Sequence, residues 1–233
     1  MKIKICGIKD ARGLEATMAA GADFFGLVLA PESPRFVDIE MARGLINLAG
    51  DKIASVVLLV NPTLDDALTI IHNLSPHYVQ LHGQESPDLC AAIQHQGGRP
   101  IIKAIPITTS QDIKRTVEYA DSVDYFLFDA APKKNSDRHG GLGQVFDWSL
   151  LQDYNMAQPF FLAGGLHADN IIMAIDRVRR LSPLMEKRFY AVDVSSGVEE
   201  LSGESTDNAS KAVARKSPTK IKNFCAAVKK IKD

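Results

Sequence analysis

The sequence predicts an α/β protein, a closed barrel of eight βα units, and three observations carry that prediction. Short β-branched or apolar runs alternate with stretches of helical spacing along the whole chain, the pattern of parallel βα architecture. Eight such units leave no second hydrophobic segment over, whereas doubly wound open sheets more often have roughly five to seven strands. Runs such as Ser-Val-Val-Leu-Leu-Val at 55–60 contain few polar residues, as strands covered on both faces require. A length of 233 residues suits one barrel domain spanning 1–233, since such barrels reach this size around a single core.

Taken in order, strands are expected over 2–6, 24–29, 54–60, 78–81, 101–105, 125–128, 160–163 and 190–194. The intervening helices are expected over 11–20, 39–48, 64–73, 86–96, 110–119, 147–154, 168–180 and 218–231, the sixth having the weakest pattern. Two stretches break the rhythm and read as surface loops. Residues 130–144 carry Pro132, Asn135, Asp137 and three glycines, and residues 201–216 are polar and serine-rich. Ser217-Pro218 then reads as an N-cap followed by proline at the first helical position.

Composition narrows the function classes. With 27 basic and 28 acidic residues the net charge is -1, so nothing in the global field favours nucleic acid or an anionic membrane. No apolar stretch approaches the ~18 residues of a membrane span. Three widely spaced cysteines, Cys6, Cys90 and Cys225, fit neither a disulfide framework nor a zinc pattern and point to the reducing cytoplasm. The chain lacks a phosphate-binding Gly-x-x-x-x-Gly-Lys-Ser/Thr loop, a dinucleotide fingerprint and a His-Glu-x-x-His pair. No metal and no cofactor is expected.

In a barrel of this kind the active site lies where the strands end. Those positions hold Cys6, Leu29 with the following 31–35, Asn61, His82, Ile105, Asp129, Gly164-Gly165, and Asp193 followed by Ser195-Ser196-Gly197. Cys6 reads either as a base whose thiol is ionised by a nearby cation, Lys9 or Arg35, or as a small buried hydrophobe like Cys90 and Cys225. Asp129 closes an apolar strand, where a carboxyl acquires a raised pKa and holds a proton to donate; it otherwise caps the next loop. Arg35, in the proline-braced Ser33-Pro34-Arg35, either grips a carboxylate through two parallel hydrogen bonds or is a solvated surface residue. Gly164-Gly165 and Ser195-Ser196-Gly197 follow the seventh and eighth strands, where such barrels commonly bind phosphate, although paired glycines also make plain tight turns. His82 is either functional or a packed polar residue at the rim.

The blocks Lys4-Ile5-Cys6-Gly7-Ile8, Gly26-Leu27-Val28 leading to Ser33-Pro34-Arg35-Phe36-Val37, and Val79-Gln80-Leu81-His82-Gly83 together resemble the phosphoribosylanthranilate isomerases of tryptophan biosynthesis. The order continues with Phe128-Asp129, Gly140-Gly141-Leu142-Gly143, Phe146-Asp147-Trp148, Leu162-Ala163-Gly164-Gly165-Leu166 and Asp193-Val194-Ser195-Ser196-Gly197-Val198-Glu199. The resemblance implies an Amadori rearrangement with Cys6 as general base and Asp129 as general acid. It further implies that Arg35 holds the anthranilate carboxylate and that Gly164, Gly165, Ser195, Ser196 and Gly197 form the phosphate cradle, with His82 and Asp193 also on the substrate. The implied partner is a small phosphorylated molecule, with a monomer as the favoured state.

Two departures stand out. Leu142 replaces a usual hydroxyl residue, and a familiar Gly-x-Lys-Asp before the last helix is reduced to Lys216-Ser217 after an unusually long segment. Other readings on the same scaffold are a metal-dependent epimerase, an indole-glycerol-phosphate synthase using a strand lysine such as Lys103, and a non-catalytic barrel that merely binds a phosphorylated ligand.

Overall fold

A short strand buried on both faces needs apolar side chains on alternate sides, one set for the barrel interior and one for the helices outside. In a computed structural model, which describes residues 1–131, 145–202 and 213–231, eight such strands close a parallel barrel in chain order. They are β1 (Lys2–Cys6), β2 (Phe24–Val28), β3 (Ala54–Leu59), β4 (Tyr78–Leu81), β5 (Ile101–Ile107), β6 (Tyr125–Ala130), β7 (Phe160–Leu162) and β8 (Phe189–Val194). Closure is made by β1 against β8, with Lys4 opposite Asp193 on one side and opposite Phe24 on the other.

The interior begins with a layer of rings. Phe24, Tyr78, Tyr125 and Tyr190 come from the starts of the even-numbered strands, as layered barrel packing requires, with Phe24–Tyr78 and Tyr125–Tyr190 centroids 5.4 Å and 5.1 Å apart. Val56, Ile102 and Phe161 from odd-numbered strands pack against it. Towards the strand ends the interior turns polar, with Lys4, Gln80 and Asp193 all buried. That change of chemistry along the barrel axis marks the end where the site lies.

Outside the barrel run α1 (Ala11–Ala19), α2 (Ile39–Ala49), α3 (Leu64–Leu74), α4 (Pro87–Gly97), α5 (Ser110–Lys114), α6 (Ile171–Arg179), α7 (Pro183–Arg188) and α8 (Pro218–Lys229). Five of them start where a short polar side chain accepts a first-turn amide: Asp10 for α1, Asp38 for α2, Thr63 for α3, Ser86 for α4 and Ser182 for α7. Cys90 and Cys225 are buried in α4 and α8.

Several expectations are corrected. The helix expected over 110–119 is a short α5 continued by a 3-10 turn, Arg115–Tyr119. The one expected over 147–154 is 3-10, Trp148–Asp153, and α7 was not foreseen. Residues 201–216 are not simply a surface loop, because β9 (Glu199–Ser202) and β10 (Val213–Lys216) pair antiparallel and Lys216 is buried. Leu142 and most of 130–144 lie outside the described residues.

Lys103 does not face the barrel interior. Its neighbours Ile102 and Ala104 do, so the alternation of a strand sends Lys103 to the helix layer. There its ammonium lies 2.9 Å from Glu85 and bonds the Gly83 and Ala104 carbonyls. The inward strand lysine is Lys4, which the sequence reading passed over.

Candidate active site

The site is assembled around the end of β1. Cys6 follows inward-facing Lys4 by two residues and so points inward too, but it is only 5% exposed, less open at the mouth than its place before Gly7 suggested. Its sulfur fits because residue 26, paired with it on β2, is glycine: a Cβ there would lie 2.8 Å from the Cys6 sulfur. Gly7 serves a second purpose. It has φ +79°, and a Cβ would meet the Arg35 Cδ at 2.5 Å, so the aliphatic stem of Arg35 lies across it. The Cys-Gly step thereby brings the stem of Arg35 in next to the residue that carries the thiol.

The cations expected to act on Cys6 were Lys9 and Arg35. Lys9 is instead turned outward, bonding the Pro34 carbonyl. The neighbour that matters is Lys4, wholly buried and 3.0 Å from Asp193. Burial pushes the Cys6 thiol above its usual range, Lys4 pulls it down by charge and hydrogen bond, and Asp193 pushes it up again. For Lys4 itself burial opposes the ammonium, but Asp193 and Cys6 outweigh burial and raise its pKa.

Asp129, two residues beyond inward-facing Leu127, points into the same mouth. Its Oδ1 accepts the Ala130 amide at 2.8 Å, so part of the loop-capping alternative is present. Its Oδ2 is 3.6 Å from His82 Nε2. Burial, with Asp193 next in weight, pushes its carboxyl up to about 6, while Lys4 and Arg35 act in the opposite sense. His82 moves the other way: burial, then Lys4 and Lys103, take it down to about 4, so its imidazole is neutral at pH 7. Gln80 Nε2 lies 2.7 Å from His82 Nδ1; with that amide donating, the ring proton sits on Nε2, the atom facing Asp129.

The two glycine-bearing loops meet. Gly164, at φ +83°, comes so close to Asp129 and Ala130 that a Cβ would fall 3.1 Å from Asp129 Oδ1. A Cβ on Gly197 would collide with the Leu166 carbonyl. Asn170 orders the first loop by bonding the Gly165 carbonyl and the His167 amide. Ser195 ties the second loop to β1 through a 3.0 Å hydrogen bond from its Oγ to the Cys6 carbonyl. Among the described residues no protein acceptor takes the amides of Gly165, Ser196 or Gly197, which leaves backbone donors for an anion.

Arg35 is neither solvated nor open. Its side chain is 14% exposed, and its Nε and Nη2 bond the two carboxylate oxygens of Glu199 at 2.6 Å and 2.7 Å. Lys216 lies 2.7 Å from the same Glu199 Oε1 and also bonds the Ser195 carbonyl and hydroxyl. Burial opposes the Glu199 carboxylate, but Arg35 and Lys216 prevail and hold it down near about 2. Burial takes Lys216 down to about 8 against the pull of Glu199. Sequence reasoning missed both as site residues. A carboxylate two residues past Ser196-Gly197, and a lysine just before an N-cap, were the available signals.

Thus Cys6, Asp129, Arg35, His82 and Asp193 share one mouth, with both glycine loops against its rim. Among the described residues no group of three or more His, Cys, Asp or Glu side chains is placed to hold a metal ion, and no helix is long and apolar enough to cross a membrane.

Comparison with known proteins identifies the family. Residues 3–214 match the family model described as N-(5'phosphoribosyl)anthranilate (PRA) isomerase. The N-(5'-phosphoribosyl)anthranilate isomerase of Azorhizobium caulinodans is 40% identical over 229 residues, covering 98% of this chain and 92% of that one. The crystal structure of phosphoribosyl anthranilate isomerase from Thermotoga maritima is 29% identical, with TM-score 0.79, and the match covers 99% of this chain and 100% of that one. A phosphoribosyl anthranilate isomerase solved in complex with reduced 1-(o-carboxyphenylamino)-1-deoxyribulose 5-phosphate is 28% identical, with TM-score 0.76, covering 99% and 100%. On the strength of these matches across nearly its whole length, the chain belongs to the N-(5'-phosphoribosyl)anthranilate isomerase family.

Proposed function

We propose that Cys6 and Asp129 carry out, as base and acid, the isomerisation that defines the family. The reaction is the Amadori rearrangement of N-(5-phosphoribosyl)anthranilate to 1-(2-carboxyphenylamino)-1-deoxyribulose 5-phosphate, a step of tryptophan biosynthesis. Asp129 gives its proton to the ring oxygen as the bond from C1 to that oxygen breaks, and the nitrogen lone pair forms an iminium at C1. The Cys6 thiolate then takes the C2 proton, and the released electron pair makes the C1–C2 double bond while neutralising the nitrogen. The C2 hydroxyl proton passes to the Asp129 carboxylate and the Cys6 thiol returns its proton to C1, which completes the ketose and restores both groups. These transfers balance among Cys6, Asp129 and substrate without a metal or redox cofactor.

The other roles follow from position. Lys4, rather than Lys9, stabilises the thiolate. Arg35 receives the anthranilate carboxylate, and the amides of Gly164, Gly165, Ser196 and Gly197, with the Ser195 loop, receive the phosphate. Neutral His82 offers an Nε2 proton to a sugar oxygen beside Asp129, and Asp193 holds Lys4 in place while facing the substrate. All these groups come from one copy of the chain, which suits a monomer, with 1–233 acting as one catalytic unit. The cytoplasm suits three cysteines kept as thiols.

The observation that supports this reading is that Cys6 and Asp129 both point into one barrel mouth, with the carboxyl pushed up to about 6. Phosphoribosylanthranilate generated in situ should lose its fluorescence with catalytic amounts of the protein. Binding of the reduced product analogue without turnover would support the non-catalytic barrel instead.

A further inference from the structure

Arg35 carries two edges able to form paired hydrogen bonds with a carboxylate, one presenting Nε and Nη2, the other Nη1 and Nη2. In this chain the first edge is taken by Glu199 at 2.6 Å and 2.7 Å. Among the described residues Nη1 has no partner. The guanidinium has little freedom to turn, because its stem lies across Gly7 and its side chain is 14% exposed.

Glu199 is itself held. Its Oε1 is shared between Arg35 Nε and Lys216 Nζ at 2.7 Å, and Lys216 is anchored to Ser195, whose hydroxyl bonds the Cys6 carbonyl. The chain of contacts runs from Arg35 through Glu199, Lys216 and Ser195 back to the strand that carries the thiol. Two cations share one carboxylate here, with side-chain exposures of 14%, 4% and 9%, so within this trio one positive charge has no carboxylate of its own. A buried charge of that kind calls for one further anion.

We propose that Glu199 is a positioning residue for substrate specificity: it occupies one edge of Arg35 and so presents the other edge to the carboxylate of an ortho-carboxyphenylamino substrate. This rests on the assignment of Arg35 to the substrate carboxylate. Glu199 makes no contact with the reacting atoms and acts only through Arg35. The opposite role for the same contact, a built-in competitor that the substrate must displace, predicts the reverse response to its removal.

The test compares two ligands by calorimetry: reduced 1-(o-carboxyphenylamino)-1-deoxyribulose 5-phosphate, and the same molecule with a plain phenyl ring. The wild-type protein should bind the carboxylated ligand at least tenfold more tightly. Glu199→Gln keeps the size but removes the charge, and should lose most of that preference by weakening the carboxylated ligand alone. Its KM should rise by a similar factor while kcat changes by less than about threefold. Glu199→Asp keeps the charge but withdraws it by one methylene, and should keep part of the preference; it carries the same test should Glu199→Gln not fold.

A wild-type protein that binds both ligands alike overturns the Arg35 assignment, and the proposal with it. A wild-type preference that survives unchanged in both variants overturns the proposal alone. So does equal weakening of both ligands, which would mark a purely structural residue, and so does tighter binding of the carboxylated ligand, which would mark a competitor.

Discussion

Cys6 and Gly26 face each other across β1 and β2, and a methyl group at position 26 would lie 2.8 Å from the Cys6 sulfur. The thiol occupies the space that a side chain there would need. Gly26→Ala should therefore cost about 1–3 kcal/mol through overpacking. It should also lower kcat by more than tenfold, because the group that must move is the proposed base. Urea unfolding and steady-state kinetics measure the two effects separately, and a full kcat would show that the position of the thiol is not critical.

Cys6→Ser and Asp129→Asn should each lower turnover by about 10²-fold or more, with both proteins folded and near-normal affinity for the reduced product analogue. A serine hydroxyl is far harder to ionise than a thiol, and asparagine has no acidic proton. With substrate deuterated at C2, a primary isotope effect should be exposed in Cys6→Ser, where proton removal is slowed. It should be masked in Asp129→Asn, where ring opening is. Parent-rate turnover in Cys6→Ser would make the thiol a packing residue.

In the proposed scheme the productive enzyme has Asp129 protonated and Cys6 ionised. Burial first and Asp193 second push Asp129 up to about 6, and burial pushes the thiol above its usual range. Below about 6 Asp129 already holds its proton, and kcat/KM should rise with pH as thiolate accumulates. Above 6 each gain in thiolate is offset by loss of the Asp129 proton, so the profile should flatten until the thiol itself titrates. The substrate phosphate ionises in the same region, near ~6. Asp193→Asn separates the two: it removes a cause of the raised carboxyl pKa and should move the break to lower pH. A break that stays in place belongs to the phosphate.

Lys103 and Glu85 form an ion pair with side chains 2% and 0% exposed. Lys103→Met should destabilise the protein by about 3–5 kcal/mol, since it strands a buried carboxylate, and the double variant Lys103→Met/Glu85→Gln should recover part of the loss. The folded fraction should keep its kcat, because Lys103 faces the helix layer. Loss of turnover without loss of stability would return Lys103 to the list of catalytic candidates.

Activity should survive exhaustive chelation with EDTA, given the donor sets available among the described residues. Inactivation reversed by a divalent cation would remove the proposed acid/base scheme.

The barrel strands were legible because burial on both faces writes itself as short apolar runs, and Cys6 and Asp129 stand out where such runs end. The network behind Arg35 was not. Glu199 and Lys216 sit in β9 and β10, four residues each, and a short strand of charged residues carries no hydrophobic period by which to recognise it. Lys4 was passed over because a lysine inside an apolar strand shows no partner in the sequence until the register sets it opposite Asp193. The 3-10 turn Trp148–Asp153 and the six-residue α7 were hard to place because neither is long enough to show helical spacing over several turns. The acid and base candidates stand out as single residues; the orientation of Arg35 depends on contacts between residues 164 positions apart.

The rings of Phe24, Tyr78, Tyr125, Phe161 and Tyr190, in contact at 5.1 to 6.1 Å, give the barrel a floor and hence a single doorway. Substrate, product and bulk solvent must all use the opposite end, so the hydrolysable iminium has a dry wall behind it. The same floor separates two kinds of change. Substitutions among the rings alter how firmly the barrel holds together, far from the groups that move protons, whereas substitutions at the doorway alter what is admitted and turned over. Heat tolerance and substrate range can therefore be engineered from opposite ends of the same molecule.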